Sequence, residues 1–130
     1  MKYMLDTDTI SYALRGQGGV GARLLQHRPS ELCVSTVTLA ELRFGADKRA
    51  SRKLHRLIDT FTASVTPLPF DAEAAAHFGR LASSLAAKGT PIDGFDAMIA
   101  AHAIAQQVVL VTNNAKHFAR VPGLRCENWV

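Results

Sequence analysis

The chain has 130 residues, which is enough for one folded domain, spanning residues 1–130, with a single well-formed core. Hydrophobic residues make up 48% of the sequence and charged residues 20%, a balance that excludes an intrinsically disordered protein. The longest apolar runs are far shorter than a membrane span, and Asp6 and Asp8 interrupt any signal-like apolar region at the N-terminus. We therefore expect a cytoplasmic protein that does not associate with a membrane.

Five short apolar segments predict β-strands. They occupy residues 3–5, 32–35, 64–68, 108–112 and 124–129. The fourth, "VVLVT", is the clearest, because unbroken apolar and β-branched side chains are typical of a strand that is covered on both faces. The third is weaker because it contains Pro67.

Longer segments with helical patterns alternate with these strands. The longest occupy residues 36–48, 51–61, 71–89 and 95–107, and a shorter helix after the first strand is expected to begin with Asp8 as its N-cap. The segment 95–107 is apolar nearly all round, which predicts a central buried helix. The alternation predicts an α/β fold with a mostly parallel central sheet of four or five strands flanked by helices.

The positive charge of the chain is concentrated in one region. The formal net charge is +4, and six basic residues crowd a short stretch offset only by Asp47 and Asp59. These residues are Arg43, Lys48, Arg49, Arg52, Lys53 and Arg56. Two interpretations remain open: charge runs are usually the solvated face of a helix, but this one could also bind the phosphates of a nucleic acid.

Several polar residues follow the predicted strands instead of being scattered over the surface. Asp6 comes directly after the first strand, and Glu41 lies one to two turns into the helix that follows the second. Asp93 and Asp96 open the buried helix, and Asn114 follows the fourth strand. Because the carboxyl ends of parallel strands meet at one edge of a sheet, we expect these side chains to converge in one cleft.

Carboxylates that share a cleft repel each other and lose solvation. A divalent cation bound between them offsets both energetic costs. Carboxylate oxygens are the ligands that Mg²⁺ or Mn²⁺ prefers, and such an ion can activate water and neutralise charge on a phosphate. Helix capping is the competing explanation for some of these acids. Asp93 has the position of an N-cap, with Asp96 three residues later as in a capping box.

Four segments in order, "MLDTDTIS", "VSTVTLAELRFGA", "PIDGFDAMIAAHA" and "VVLVTNNAKHFARVPGLRCENW", closely resemble the VapC group of PIN-domain ribonucleases. The resemblance extends from Lys2 to Trp129, and it implies a PIN-like fold for the whole chain. It also implies that Asp6, Glu41 and Asp96 are catalytic, and that Asp6 and Asp96 hold Mg²⁺, with Mn²⁺ as the other candidate ion.

The chain departs from the four-acid pattern of the wider family at Asn114, where many relatives carry aspartate. An amide oxygen can still bind a metal or a water, so Asn114 and Glu41 are further candidate ligands, but the missing charge argues against a second tightly held ion. Thr7 and Thr112 are expected to orient carboxylates or water. Asp93 is the alternative to Asp96.

The resemblance implies the toxin of a type II toxin–antitoxin pair, which hydrolyses a tRNA or another structured RNA and so inhibits translation. It also implies a cognate VapB-like antitoxin and a homodimer, with Arg43, Lys48, Arg49, Arg52 and Lys53 serving RNA or antitoxin docking. A non-catalytic module that binds metal and nucleic acid together with its antitoxin is the alternative that Asn114 keeps open.

The five histidines show no pairing of the kind that metal-independent ribonucleases use. His102 is expected to be a hydrogen-bonded core residue and the other four to lie on the surface. Trp129 is expected to anchor the C-terminal end by packing.

Overall fold

The computed structural model describes residues 1–130 and shows a five-stranded sheet in which every pair of neighbouring strands is parallel, in the order β3-β2-β1-β4-β5. The elements in chain order are β1 (Tyr3–Leu5), α1 (Thr7–Leu14), α2 (Val20–Leu24), a 3₁₀ turn (Pro29–Glu31), β2 (Leu32–Ser35), α3 (Thr36–Lys48), α4 (Arg52–Ser64), β3 (Thr66–Leu68), α5 (Ala72–Ala87), α6 (Gly94–Gln106), β4 (Val109–Val111), α7 (Ala115–Phe118) and β5 (Cys126–Glu127). The predicted α/β class with a parallel sheet is confirmed. None of the helices is long and apolar enough to cross a bilayer.

The central strands are apolar on both faces because each face is covered by its own core. Along β1, Met4 belongs to a cluster of 13 buried residues on one side of the sheet, and Leu5 belongs to a cluster of 10 on the other. The same alternation occurs in β4, where Leu110 joins the first cluster and Val111 the second. Alternate residues of a strand point to opposite faces, so an unbroken apolar run is what a doubly covered strand requires.

The strand order places a topological switch between β1 and β4. From β1 the chain proceeds outward through β2 to β3 on one side, and it later returns to build β4 and β5 on the other. Ligand sites of open α/β sheets lie beyond the carboxyl ends of the strands at such a point. The residues that follow β1 and β4, Asp6 and Thr112, therefore mark the expected position of the site.

The edge strands are shorter than the sequence predicted, at Thr66–Leu68 and Cys126–Glu127. Each pairs on one side only, and Pro67 is tolerated in β3 because that strand lies at the edge. The prediction that Asp8 caps α1 is wrong: Asp6 is the N-cap, and Asp8 lies in the first helical turn. Asp6 is the single residue between the end of β1 and the start of α1, so it occupies the capping position.

Candidate active site

Asp6 joins the end of β1 to the end of β4. Its backbone N–H donates to the Val111 carbonyl (3.0 Å), and its Oδ1 accepts from the Thr9 N–H (2.9 Å), which caps α1. Only 5% of the residue is exposed, and this burial raises the pKa of the carboxyl, although hydrogen bonds from the Thr112 hydroxyl and from Thr9 oppose the increase. The carboxylate is thus held firmly but is poorly solvated.

Glu41 projects from α3 toward the start of α1. Its Oε1 accepts a hydrogen bond from the Thr7 hydroxyl (2.6 Å). The side chain is partly buried, which raises its pKa, and the negative charges of Asp96, Asp93 and Asp8 raise it further. Thr7 fixes one oxygen of Glu41, and no hydrogen bond within the protein occupies the other.

Asp96 lies in the first turn of α6, and the Asp93 side chain caps this helix by accepting from the N–H groups of Phe95 (2.9 Å) and Asp96 (3.3 Å). Burial and the Asp93 charge raise the pKa of Asp96, and the Asp6 charge contributes in the same direction. Asp93 thus caps α6 as predicted, and Asp96 is left free to face the other acids.

His117 belongs to this site, which the sequence did not indicate. Its Nε2 is 3.4 Å from Asp96 Oδ2, and its ring packs edge-on against Phe118. The sequence predicted only a surface position for this histidine, and the structure shows it half-buried beside Asp96. The signal that could have found it is its position on the short helix that follows β4, which returns the chain to the carboxyl edge of the sheet.

The three predicted catalytic acids share one electrostatic neighbourhood. Each has a raised pKa, and burial is the largest cause in every case. No lysine or arginine forms an ion pair with any of them, and the partner of Asp96 is a histidine. Their negative charge is therefore not balanced by a permanent cation of the protein.

The three acids nevertheless do not form a complete metal site. No three His, Cys, Asp or Glu side chains lie close enough together to ligate one ion by themselves. Mg²⁺ usually keeps several of its waters and binds through one or two carboxylates together with substrate phosphates. The three carboxylates have no cationic partner among lysine and arginine, and there is room between them for water. Oxygen ligands arranged in this way suit an ion such as Mg²⁺.

Two further candidate residues lie near the end of β4. The Thr112 hydroxyl accepts from the Asn114 N–H (3.0 Å), and it lies close enough to the buried Asp6 carboxylate to lower its pKa. Asn114 itself is exposed and precedes α7, and its side chain makes no capping hydrogen bond. The structure therefore links Thr112 directly to the acids, whereas the Asn114 amide faces solvent.

The predicted docking surface divides into two parts. Arg43 is occupied within the protein: it forms an ion pair with Asp59, donates to the His55 carbonyl (3.2 Å) and contacts His55 Nδ1 (3.0 Å), which joins α3 to α4. Lys48, Arg49, Arg52 and Lys53 are exposed and form no ion pair. Only the second group can offer its charge to a partner.

The remaining histidine and tryptophan predictions concern the core. Trp129 is 2% exposed and stacks on His27, so its predicted packing role is confirmed and His27 is not a free surface residue. His102 is fully buried, and its Nδ1 is 2.8 Å from Ser35 Oγ. Its Nε2 has no hydrogen-bond partner, so this core histidine is only half satisfied.

Comparison with known proteins identifies the family. The model of the PIN domain matches residues 3–124. A tRNA(fMet)-specific endonuclease VapC from Salmonella typhimurium is 37% identical over 130 residues, covering 99% of this chain and 98% of the relative. The structure of DNA-bound VapBC from Salmonella typhimurium matches with a TM-score of 0.94 and 37% identity, covering 100% of this chain and 99% of that one. VapBC2 from Rickettsia felis, bound to a DNA fragment from its promoter, matches with a TM-score of 0.92 and 34% identity, with full coverage of both chains. The chain therefore belongs to the PIN-domain family and, within it, to the VapC ribonucleases.

Proposed function

We propose that this chain is the toxin of a type II toxin–antitoxin pair and that it hydrolyses RNA phosphodiesters with the help of a divalent cation. The observation that carries the proposal is the set of three carboxylates, one buried and two half-buried, that are unbalanced by lysine or arginine at the switch point of a VapC chain. When bound, Mg²⁺ or Mn²⁺ supplies positive charge that stabilises the phosphate in the transition state and lowers the pKa of water.

The side chains of the protein have separate roles in this proposal. Asp6 and Asp96 hold the cation, because they flank the switch point from β1 and α6. Glu41 accepts a proton from the attacking water at the carboxylate oxygen that Thr7 does not occupy, and burial, which raises its pKa, makes it a stronger base than a solvated glutamate. Thr112 keeps the Asp6 carboxylate oriented. The attacking water displaces the 3′ oxygen, so one product carries a 3′ hydroxyl and the other keeps the phosphate on its 5′ end.

The substrate class and the partners follow from the relatives. The relative from Salmonella typhimurium is named for specificity toward tRNA(fMet), and we extend tRNA as the substrate class to this chain. The two similar structures are VapBC assemblies, so we propose a cognate VapB-like antitoxin for this chain. A homodimer and a cytoplasmic location complete the proposal.

The test is cleavage of a panel of tRNA transcripts by the purified chain. We expect cleavage with Mg²⁺ or Mn²⁺, none with EDTA, and none for Asp6→Asn or Asp96→Asn. Glu73→Gln is the control, since Glu73 is an exposed acid in the first turn of α5 whose charge does not act on the three carboxylates, and this variant should remain active. Product fragments should carry a 5′ phosphate that can be ligated directly.

A different result would favour the alternative function. The exposed Asn114 amide and the lack of a ready-made three-carboxylate ligand set are the observations that fit a non-catalytic module. Metal-dependent binding of tRNA without cleavage of any transcript would support that module and refute the nuclease.

A further inference from the structure

Two adjacent surface cavities, which share Arg15 and Arg49 in their linings, extend from the candidate active site, and together they are called the groove. The first, of about 120 Å³, starts at Thr7 and Glu41 and continues between α1 and α3 to Arg15 and Arg49. The second, of about 390 Å³, is lined by the same two arginines and extends to Lys53. The groove thus leads from Glu41 to three basic residues: Arg15 at the end of α1, Arg49 at the end of α3 and Lys53 at the start of α4.

The three cations of this groove are free to bind an anion. Arg15, Arg49 and Lys53 are exposed, and none forms an ion pair with a carboxylate. Arg15 is also held in place, because its Nε donates to the Ser11 carbonyl (3.3 Å) and its guanidinium lies over the Tyr12 ring (5.2 Å to the centroid). Arg43, by contrast, is neutralised by Asp59 and lines neither cavity.

An aromatic cavity lies on another side of the same carboxylate. It has a volume of about 400 Å³, and Thr7, Glu41, Phe44 and Phe95 contribute to its lining. Phe44 is 67% exposed and Phe95 50%, which is unusual for side chains of this size. Exposed aromatic rings beside a cationic groove are the combination with which proteins bind unpaired bases of single-stranded nucleic acid.

We propose that a single-stranded segment of the RNA substrate crosses the active site between these two surfaces. Its phosphates lie on Arg15, Arg49 and Lys53, and one unstacked base lies against Phe44 and Phe95. The inference rests on the proposed function and gives the substrate a path. The phosphates of a nucleic acid strand can bind the free cations of the groove directly and the acids through a divalent ion. A basic protein segment would instead be repelled by the cations.

The first test measures binding of an initiator tRNA transcript to the inactive Asp96→Asn protein with Mg²⁺, over a range of salt concentrations. Arg15→Gln, Arg49→Gln and Lys53→Gln should each weaken binding about threefold at low salt and lower the slope of log K against log salt by about 0.7, the value for one phosphate contact to a single strand. Lys88→Gln is the matched control, because Lys88 is exposed and unpaired but lines none of these cavities. It should leave affinity and slope unchanged.

The second test separates the aromatic cavity from the groove. Phe95→Leu keeps an apolar side chain but removes the ring, so it should weaken binding about tenfold without changing the salt slope, because stacking involves no counterion release. Phe44→Leu should act in the same way. Wild-type affinity and slope in all five variants would overturn the proposed path.

Cleavage by the protein with an intact Asp96 distinguishes the possible failures. If that protein cleaves tRNA while the groove variants bind RNA normally, the path is wrong and the proposed function stands. If it neither cleaves nor binds RNA, the proposed function itself fails. Normal RNA binding combined with lost binding to the antitoxin would assign the groove to the protein partner and would also overturn the path.

Discussion

Asp6 has two roles that can be separated by substitution. Its Oδ1 caps α1 through the Thr9 N–H (2.9 Å), and its charge is proposed to hold the cation. Asparagine retains a capping oxygen and is as good an N-cap as aspartate, whereas alanine has none, and losing a cap costs about 1 kcal/mol. We therefore expect Asp6→Ala to be about 1 kcal/mol less stable than Asp6→Asn, although both remove the same charge.

The stability of the two variants is measured by urea unfolding in EDTA. With a slope of about 2 kcal/mol per molar urea, the midpoint of Asp6→Ala should lie about 0.5 M below that of Asp6→Asn. Asp6→Asn should be at least as stable as the wild type, because it removes a poorly solvated charge. Both variants should lose at least about a hundredfold in cleavage rate, since the charge stabilisation that the ion supplies is worth several kcal/mol.

Two results would refute this reasoning. Equal stability of the alanine and asparagine variants would show that the Thr9 contact does not cap α1 in solution. Wild-type cleavage by Asp6→Asn would show that the charge of this carboxylate is not needed for catalysis.

Three other predictions concern the acids and the contacts around them. Asp6, Glu41 and Asp96 have raised pKa values, so from about pH 4 upward the folded state holds more protons than the unfolded chain. These carboxyls should therefore make the metal-free protein less stable as the pH rises above about 4. The loss of stability should be smaller in Asp96→Asn, which lacks one of the three carboxyls, and in the presence of Mg²⁺. Urea midpoints measured in EDTA and in Mg²⁺ would show both effects. Arg43→Lys loses the contacts of the guanidinium with His55 and should cost about 1 kcal/mol of unfolding free energy with unchanged tRNA affinity; a normal midpoint would contradict this. Ser35→Ala leaves the buried Nδ1 of His102 unpaired and also removes the N-cap of α3, because Ser35 Oγ accepts from the Val37 N–H (3.1 Å), so it should cost about 3 kcal/mol. Adding His102→Leu should recover the part that is due to the histidine; no recovery would refute the pairing.

The central strands could be predicted closely from the sequence, whereas the edges could not. The bounds of β1 and β2 coincide with the apolar runs 3–5 and 32–35, because both strands are covered on two faces and end where the polar residues begin. The edge strands β3 and β5 pair on one side only, so fewer of their residues join the sheet than the pattern suggested. Their length depends on a neighbouring strand that is distant in sequence.

The N-cap of α1 could not be predicted from the sequence for a similar reason. Asp6 and Asp8 are each followed by threonine, and either could open the helix by local preference. The hydrogen bond from the Asp6 N–H to the Val111 carbonyl decides between them, because it fixes the end of β1. That contact joins residues more than one hundred positions apart, and no local pattern reports it.

The contacts of the charged residues were the least predictable part of the site. His117 reaches Asp96 from α7, and Arg43 reaches His55 across the turn between α3 and α4. Each pairing depends on how two helices are placed, which neither helical periodicity nor composition specifies. The sequence therefore indicated the acids and the threonines beside them, but not the histidine that contacts Asp96.

The packing of α3 against α6 connects a buried core contact with two of the proposed catalytic acids. Ser35 at the start of α3 contacts His102 near the end of α6, and Glu41 further along α3 is close enough to Asp96, at the start of α6, for the charge of Asp96 to raise its pKa. The two helices therefore run in opposite directions along this contact. The hydrogen bond between Ser35 and His102 at one end of this contact therefore helps to set the relative positions of Glu41 and Asp96 at the other.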